Sequence, residues 1–158
     1  MLTPISRDSP EEKPDDAAEF ARTRLGFQPD EKQAAVLRSM AKRGILNCSR
    51  QWGKSTIAAA KAVHRAFTRE RSLVLVASPT ERQSGEFLRK AAEMLVHLKI
   101  TPRGDGDNKI SLMLPNRSRI VGLPGVEATI RGFSAVSMLL IDEAARVENK
   151  MYLSLIHI

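Results

Sequence analysis

Cysteine, aromatic residues and long apolar runs are scarce in this chain of 158 residues. The single cysteine, Cys48, excludes an internal disulfide and fits a reducing compartment. No apolar run reaches the roughly 18 residues of a membrane-crossing helix, and the polar N-terminus does not resemble a secretory signal. The histidines are scattered without the spacing of a metal site. The length fits one domain that can bury a core.

Positive charge is in excess, with a net charge of +7, and it is unevenly distributed. Residues 1–31 contain eight acids and four bases, so residues 32–158 contain 21 bases and ten acids. A basic body suits a phosphate-rich partner such as DNA, and a solvated basic surface is the alternative interpretation. Aromatic residues make up only 4% of the chain, so stacking platforms for bases are not prominent.

A phosphate-binding loop is predicted between residues 45 and 56. A short apolar run, Ile45-Leu46, enters a turn that ends in Gly53-Lys54-Ser55-Thr56, and an Ala-rich helical stretch follows. In such a loop, backbone N–H groups and the positive end of the helix dipole hold an anion. Lys54 would reach the β- and γ-phosphates, and the Ser55 hydroxyl would bind Mg²⁺. The usual first glycine of the loop is replaced by Cys48.

Two adjacent carboxylates, Asp142 and Glu143, follow the apolar run Met138–Ile141. Parallel sheets bind ligands at the carboxyl ends of such buried strands. Asp142 would hold the Mg²⁺ shell, and Glu143 would orient and polarise the water that attacks the γ-phosphate. The alternative is an ordinary helix N-terminus, where acids offset the dipole. Together with the Gly-Lys-Ser loop, the pair indicates an ATP site.

These motifs resemble the ATPase motor of the large terminase subunit of tailed bacteriophages. That family commonly lacks the first glycine and carries Arg-Gln before x-Gly-Lys, as in the segment Ser49-Arg50-Gln51-Trp52-Gly53-Lys54-Ser55-Thr56. Three weaker segments also resemble the family, at residues 27–33, 77–84 and 130–134. The resemblance extends over residues 25–149.

The resemblance implies further roles at this site. Gln33 occupies the place of the glutamine that reads the adenine edge. Arg50 would act as an arginine finger on the γ-phosphate, or it would contact phosphate passively. The loop residues 49–56 would bind the nucleotide, although Trp52 occupies a variable position and receives no chemical role. ATP and Mg²⁺ are the implied cofactors.

Helix and strand patterns along the chain predict an α/β fold, and the resemblance implies a P-loop NTPase of the ASCE type. It would be a three-layer sandwich around a mostly parallel sheet with one antiparallel insertion. We expect helices at residues 15–25, 30–42, 55–69 and 81–98, and a further helix beginning at Glu143. We expect strands at residues 72–77 and 137–142, a hairpin at residues 109–114 and 118–123, and a strand leading into the phosphate loop.

The two ends of the chain differ from its body. Residues 1–14 are polar and rich in Pro, so we expect disorder there, and we assign residues 15–152 to the N-terminal part of the ATPase domain. Residues 153–158 read as the translation of a sequencing adapter, so we interpret them as a non-native tail; a genuine apolar tail is the alternative. In the motor class that the motifs resemble, a further strand lies between the acidic strand and the loop strand. A chain ending at Tyr152 would lack that strand, and we expect this fragment to be inactive.

The favoured function is therefore the ATP-hydrolysing motor that moves double-stranded DNA into a capsid. The resemblance implies a portal protein and a small terminase subunit as partners, a homo-oligomeric ring, and a location in the host cytoplasm at the procapsid portal. One rival is a superfamily-2-like helicase, which shares the loop and the Asp-Glu strand. A second rival is a nucleic-acid-binding fragment without catalysis. The candidates for DNA contact are basic residues that cluster after the second helix, for most of which solvated surface is the alternative interpretation: Arg103, Lys109, Arg117, Arg119 and Arg131.

Overall fold

The computed structural model describes residues 16–124, 133–147 and 149. The helices are α1 Ala17–Arg24, α2 Glu31–Arg38, α3 Lys54–Thr68 and α4 Glu81–His97, and a short 3-10 helix spans Ala144–Arg146. The strands are β1 Leu73–Ser78, β2 Ser111–Met113, β3 Arg119–Pro124 and β4 Met138–Ile141. They form one sheet in the order β2-β3-β1-β4.

The sheet is mostly parallel, as predicted. β1 is parallel to β3 on one side and to β4 on the other, and the hairpin strand β2 is antiparallel to β3. All six residues of β1 are buried. Its continuous apolar sequence follows from this position, because a parallel strand covered on both faces has no solvent side. The expected antiparallel insertion is thereby confirmed as the β2–β3 hairpin.

The two faces of the sheet belong to different apolar clusters. Val74 and Val76 of β1 join the large cluster formed with helices α1 to α4. Leu75 and Ala77 join the cluster on the opposite face, which includes Val121 and Val147. Because side chains alternate along a strand, this division identifies the sheet face on which each strand residue lies. The arrangement gives the layered α/β architecture that the sequence predicts.

The second helix is shorter than predicted. α2 ends at Arg38 rather than at residue 42, because Ser39 adopts an extended backbone conformation with ψ 124°. The carbonyls exposed by this early end are bound by the Lys61 ammonium, which lies 2.8 Å from Val36 O and 2.9 Å from Ser39 O. A lysine from α3 therefore terminates α2 and fixes the two helices together.

Two further predictions are wrong in detail. Residues 45–47 are not a strand, and the Ile45 side chain is 94% exposed. No described strand lies beside this segment to accept its backbone hydrogen bonds, and an extended segment without a neighbour gains none. Glu143 does not begin an α-helix: it adopts a left-handed conformation with φ 49°, and only the 3-10 turn Ala144–Arg146 follows. A non-glycine residue in this conformation interrupts a right-handed helix.

Several predictions lie outside the described residues. These are the disordered segment 1–14, the tail 153–158, and the candidate DNA contact Arg131. Within the part of the chain that the structure describes, no helix combines the length and apolar character needed to cross a membrane.

Candidate functional site

The turn before α3 depends on a glycine. Gly53 is the N-cap of α3 and has φ 87°, a left-handed conformation that other residues adopt only with strain. A Cβ atom at this position would lie 3.2 Å from Gln33 Nε2, so space is also restricted. Gln51 has a positive φ as well, at 65°. Two left-handed residues within three positions fold the chain tightly against the start of the helix.

The first turn of α3 is left open to an anion. The other three α-helices each have a side-chain cap, from Asp16, Asp30 and Thr80 respectively, and each has an acid in its first turn. α3 has neither, and it begins with Lys54. Its first intrahelical hydrogen bond at this end runs from Ile57 N to Gly53 O at 2.9 Å. The N–H groups of residues 54–56 therefore precede the helical ladder and can bind an anion.

Gln33 connects the loop to α2. Its Nε2 donates a hydrogen bond to Trp52 O at 2.8 Å. Its Oε1 accepts one from Asp30 N at 2.9 Å, and Asp30 Oδ1 accepts one from Gln33 N at 2.8 Å. This reciprocal pair is a capping box, which stabilises the first turn of α2. One amide group thus holds the start of α2 and the phosphate loop in a fixed relation.

The two carboxylates lie at the carboxyl end of the sheet. Asp142 N donates to Ala77 O at 2.9 Å, so the β1–β4 ladder continues to Asp142. Asp142 is half-buried, and its Oδ1 accepts a hydrogen bond from Glu143 N at 3.0 Å. Glu143 is exposed, and its carboxylate pairs with Arg146 at 3.5 Å. The neighbouring residues therefore occupy different environments, one fixed in the ladder and one at the surface.

The remaining loop residues are mostly at the surface. Ser49, Arg50 and Gln51 are exposed, whereas Trp52 is half-buried and packs against the core under the helices. Trp52 therefore anchors the loop through its ring, and its carbonyl receives the Gln33 amide. Lys54, Ser55 and Thr56 are half-buried along the first turn of α3.

Sequence reasoning missed one buried group at the same edge of the sheet. The hydroxyl of Ser78, the last residue of β1, is fully buried and has no hydrogen-bond partner among the described residues. Ser84, on α4, is the second hydroxyl of this kind in the described chain. A serine directly after an apolar strand of a parallel sheet was the available signal, because ligands bind at that edge. The described residues contain no group of three or more histidines, cysteines or acids that would hold a metal by themselves.

The fold is that of a known viral ATPase domain. The structure matches the ATPase domain of the large terminase of Thermus phage P74-26 with a TM-score of 0.69 and 23% identity. The match covers 88% of this chain and 64% of that domain. A mutant of the same domain matches with a TM-score of 0.66 and 22% identity, over the same shares of the two chains.

The family profile described as "Terminase large subunit, T4likevirus-type, N-terminal" matches residues 45–157. The chain belongs to the terminase large subunit family. The P-loop fold is consistent with this membership, and the helicase alternative is set aside.

Two curated relatives agree with this assignment, the large terminase subunits of Thermus phage G20c and Thermus virus P23-45. Each is 28% identical over 141 residues, a match that covers 78% of this chain. The chain spans only 29% of the length of these terminases.

Proposed function

We propose that this terminase chain carries the ATP-hydrolysing centre of a DNA-packaging motor, which drives double-stranded DNA into a capsid. The observation that carries the proposal is the open N-terminus of α3. It follows the Gly53 turn, has no cap of its own and begins with Lys54. Backbone N–H groups, a lysine and the helix dipole together favour the phosphates of a nucleotide over any neutral ligand.

We infer that oxygen ligands suited to Mg²⁺ complete this anion site. Ser55 supplies a hydroxyl in the first turn of α3, and Asp142 supplies a carboxylate at the end of the β4 ladder. Mg²⁺ prefers such hard oxygen donors and takes few protein ligands when it also binds phosphates. The Ser78 hydroxyl, buried without a partner among the described residues, is a further polar group at the same edge of the sheet. The bound ion would neutralise charge on the β- and γ-phosphates.

Glu143 is the proposed base, orienting and polarising the attacking water. A general base must reach the water it polarises, so the Glu143 carboxylate has to leave its ion pair with Arg146. That pair is exposed and joins residues three apart, so it contributes little stability and separates easily. We assign Arg50 to the γ-phosphate charge, as an arginine finger, because it is exposed at the tip of the loop and free to turn inward.

Gln33 is suited to reading the adenine base in addition to holding the loop. A primary amide has two N–H donors and an oxygen with two lone pairs. Gln33 uses one donor on Trp52 O and one lone pair on Asp30 N. One donor and one acceptor remain, which is the pair that a glutamine presents to adenine N7 and N6. The same side chain would then connect base recognition to the conformation of the phosphate loop.

The basic charge of residues 32–158 supports DNA as the translocated partner. Among the candidate contacts, Arg103 and Arg117 are exposed. Lys109 and Arg119 are paired with Glu81 and Asp105, so they carry less free positive charge. We further propose a homo-oligomeric ring, a portal protein and a small terminase subunit as partners, with the motor at the procapsid portal in the host cytoplasm.

The test is ATP hydrolysis by the full-length gene product that contains this chain. Lys54→Ala should lower kcat at least about 10²-fold, because it removes a preorganised charge from the transferring phosphate. Lys42→Ala is the matched control, since Lys42 is equally cationic but exposed before the loop, and its turnover should be unchanged. Turnover retained in Lys54→Ala would refute the assignment. Tight ATP binding without turnover in the wild type would favour the binding-only alternative.

A further inference from the structure

The hydroxyl of Ser78 is buried, and among the described residues no hydrogen bond compensates for the loss of its contact with water. The residue is 0% exposed, and its Oγ accepts and donates no hydrogen bond within the described residues. Burying a hydroxyl without a partner costs free energy, so such groups are rare and call for an explanation. A ligand-dependent partner is one such explanation, and the position of Ser78 decides whether it applies.

Ser78 lies beside Asp142 on the helical face of the sheet. The last residue pair of the β1–β4 ladder is Ala77 with Ile141, so Ser78 and Asp142 are the next residues on the two strands. Ser78 lies an even number of residues from Val74 and Val76, so it is on the same face of β1 as these two residues, which pack under the helices. Asp142 likewise lies an even number of residues from Met138 and Leu140, which pack against that same cluster. The two side chains therefore start from adjacent positions on one face.

Asp142 has a carboxylate oxygen to offer. Its Oδ1 accepts the hydrogen bond from Glu143 N, and this is the one hydrogen bond recorded for the carboxylate among the described residues. The Ser78 O–H is a donor, and a carboxylate accepts several hydrogen bonds. A charge-assisted O–H to carboxylate bond is stronger than one between neutral groups and fixes the orientation of the acid.

We propose that Ser78 is a positioning residue: its hydroxyl donates to Asp142 and orients that carboxylate toward the Mg²⁺ of the bound nucleotide. The proposal rests on the function proposed above, because it assigns Asp142 to the metal. Partners behind the direct ligands hold ligating carboxylates in place, and their loss weakens metal affinity. Ser78 acts through Asp142 and not on the nucleotide itself.

Ser84 provides a matched control within the same chain. Its Oγ is also fully buried, and no residue in the described ranges forms a hydrogen bond with it. It lies at the contact between α4 and β3, where its Cβ is 3.1 Å from the position that a Cβ on Gly122 would occupy. A small residue is needed there for close packing of helix and strand, so steric fit explains Ser84 without any ligand. Ser78→Ala and Ser84→Ala remove the same group from two different environments.

The experiment measures ADP affinity of the full-length gene product by calorimetry, with Mg²⁺ and with excess chelator. In the wild type and in Ser84→Ala, Mg²⁺ should raise the affinity by the same factor. In Ser78→Ala that factor should fall about tenfold, the effect expected for one lost carboxylate-orienting bond, while the affinity in chelator stays within about twofold. Should Ser78→Ala fail to fold, Ser78→Cys replaces it, because a thiol of similar size is a weak donor.

An unchanged Mg²⁺ factor in Ser78→Ala would overturn the proposal and leave the proposed function standing. A wild type that binds ADP with no gain from Mg²⁺ would instead refute the metal assignment of Asp142, and the role of Ser78 with it. A reduced factor in both serine variants would also overturn the proposal, since the loss would then reflect packing.

Discussion

Lys61 is expected to hold α2 against α3, and its replacement by methionine tests this directly. The ammonium donates to Val36 O at 2.8 Å, to Leu37 O at 3.2 Å and to Ser39 O at 2.9 Å. Burial lowers the pKa of Lys61, and the nearby Arg65 lowers it further, so the folded state also opposes this charge. Methionine keeps most of the apolar stem and has a similar helix propensity, so the variant removes mainly the charged hydrogen bonds.

The magnitude follows from these contacts. One hydrogen bond to a charged group contributes about 1.5–3 kcal/mol, and three bonds that share one ammonium are not additive. Lys61 is only half-buried, so water can bind some of the carbonyl oxygens that the substitution frees. The substitution also removes the cost of partly burying a charge, which reduces the net loss of stability further. A net loss of about 2 kcal/mol remains, which corresponds to about a 30-fold change in a local opening equilibrium.

Hydrogen exchange measured by mass spectrometry gives the local readout in the full-length gene product. Lys61→Met should accelerate exchange of peptides covering residues 31–38 about 30-fold if they open locally. Lys32→Met is the control, because Lys32 is exposed on α2 itself, and it should leave exchange unchanged. Equal protection in Lys61→Met and wild type would show that the three hydrogen bonds do not stabilise α2.

Two further predictions concern a buried acid and the phosphate loop. The side chain of Asp105 is 1% exposed and accepts hydrogen bonds from Asn108 N at 2.8 Å and from Ser111 Oγ at 2.8 Å. Burial alone would raise the pKa of Asp105, but these hydrogen bonds lower that pKa below 3.8. Asp105→Ala should therefore lower the free energy of unfolding, measured in urea at pH 7, by about 2–4 kcal/mol. The difference in free energy of unfolding between wild type and variant should shrink as the pH falls below about 3.8, through the folded-state pKa of Asp105. A difference that does not change with pH would contradict this. In Gly53→Ala the new side chain adds left-handed strain of about 1–2 kcal/mol, and its Cβ would lie 3.2 Å from Gln33 Nε2. The affinity for ADP should therefore fall about tenfold or more. Gly44→Ala is the control, because no atom lies within 4 Å of its new Cβ, and it should bind ADP normally. Equal affinity in the two glycine variants would show that the loop tolerates a side chain.

Apolar periodicity was sufficient to predict most of the fold. Residues 73–77 are recognisable as a buried strand because they are apolar throughout, and Thr80 marks the start of α4 because threonine caps helices well. Ile45 and Leu46 are also apolar but form no strand, since pairing depends on a neighbour that the local sequence does not contain. Tertiary contacts decide such a segment, and local propensity cannot supply them.

The residue types of the candidate site could be predicted from the sequence, but the hydrogen bonds that join its elements could not. Lys54 and Asp142 follow from the order of loop, helix and acidic strand. The bond from Gln33 to Trp52 O joins residues 19 apart, and it depends on how α2 packs beside α3. The early end of α2 has the same origin, because Lys61 comes from another helix. The left-handed Glu143 has no signature in composition, since glycine or asparagine is the residue that usually marks such a turn.

The central position of β1 divides the site into a stiff part and a compliant part. β1 is bonded to a strand on each side and buried along its length, so it can open only when both pairings are lost. Ser78 ends this strand, and Asp142 is tied to it through Ala77 O. The exposed residues Arg50 and Glu143 stand on turns outside the ladder. In the ATPase cycle proposed above, shape changes would therefore be confined to the loop and the acidic turn, and β1 would stay fixed.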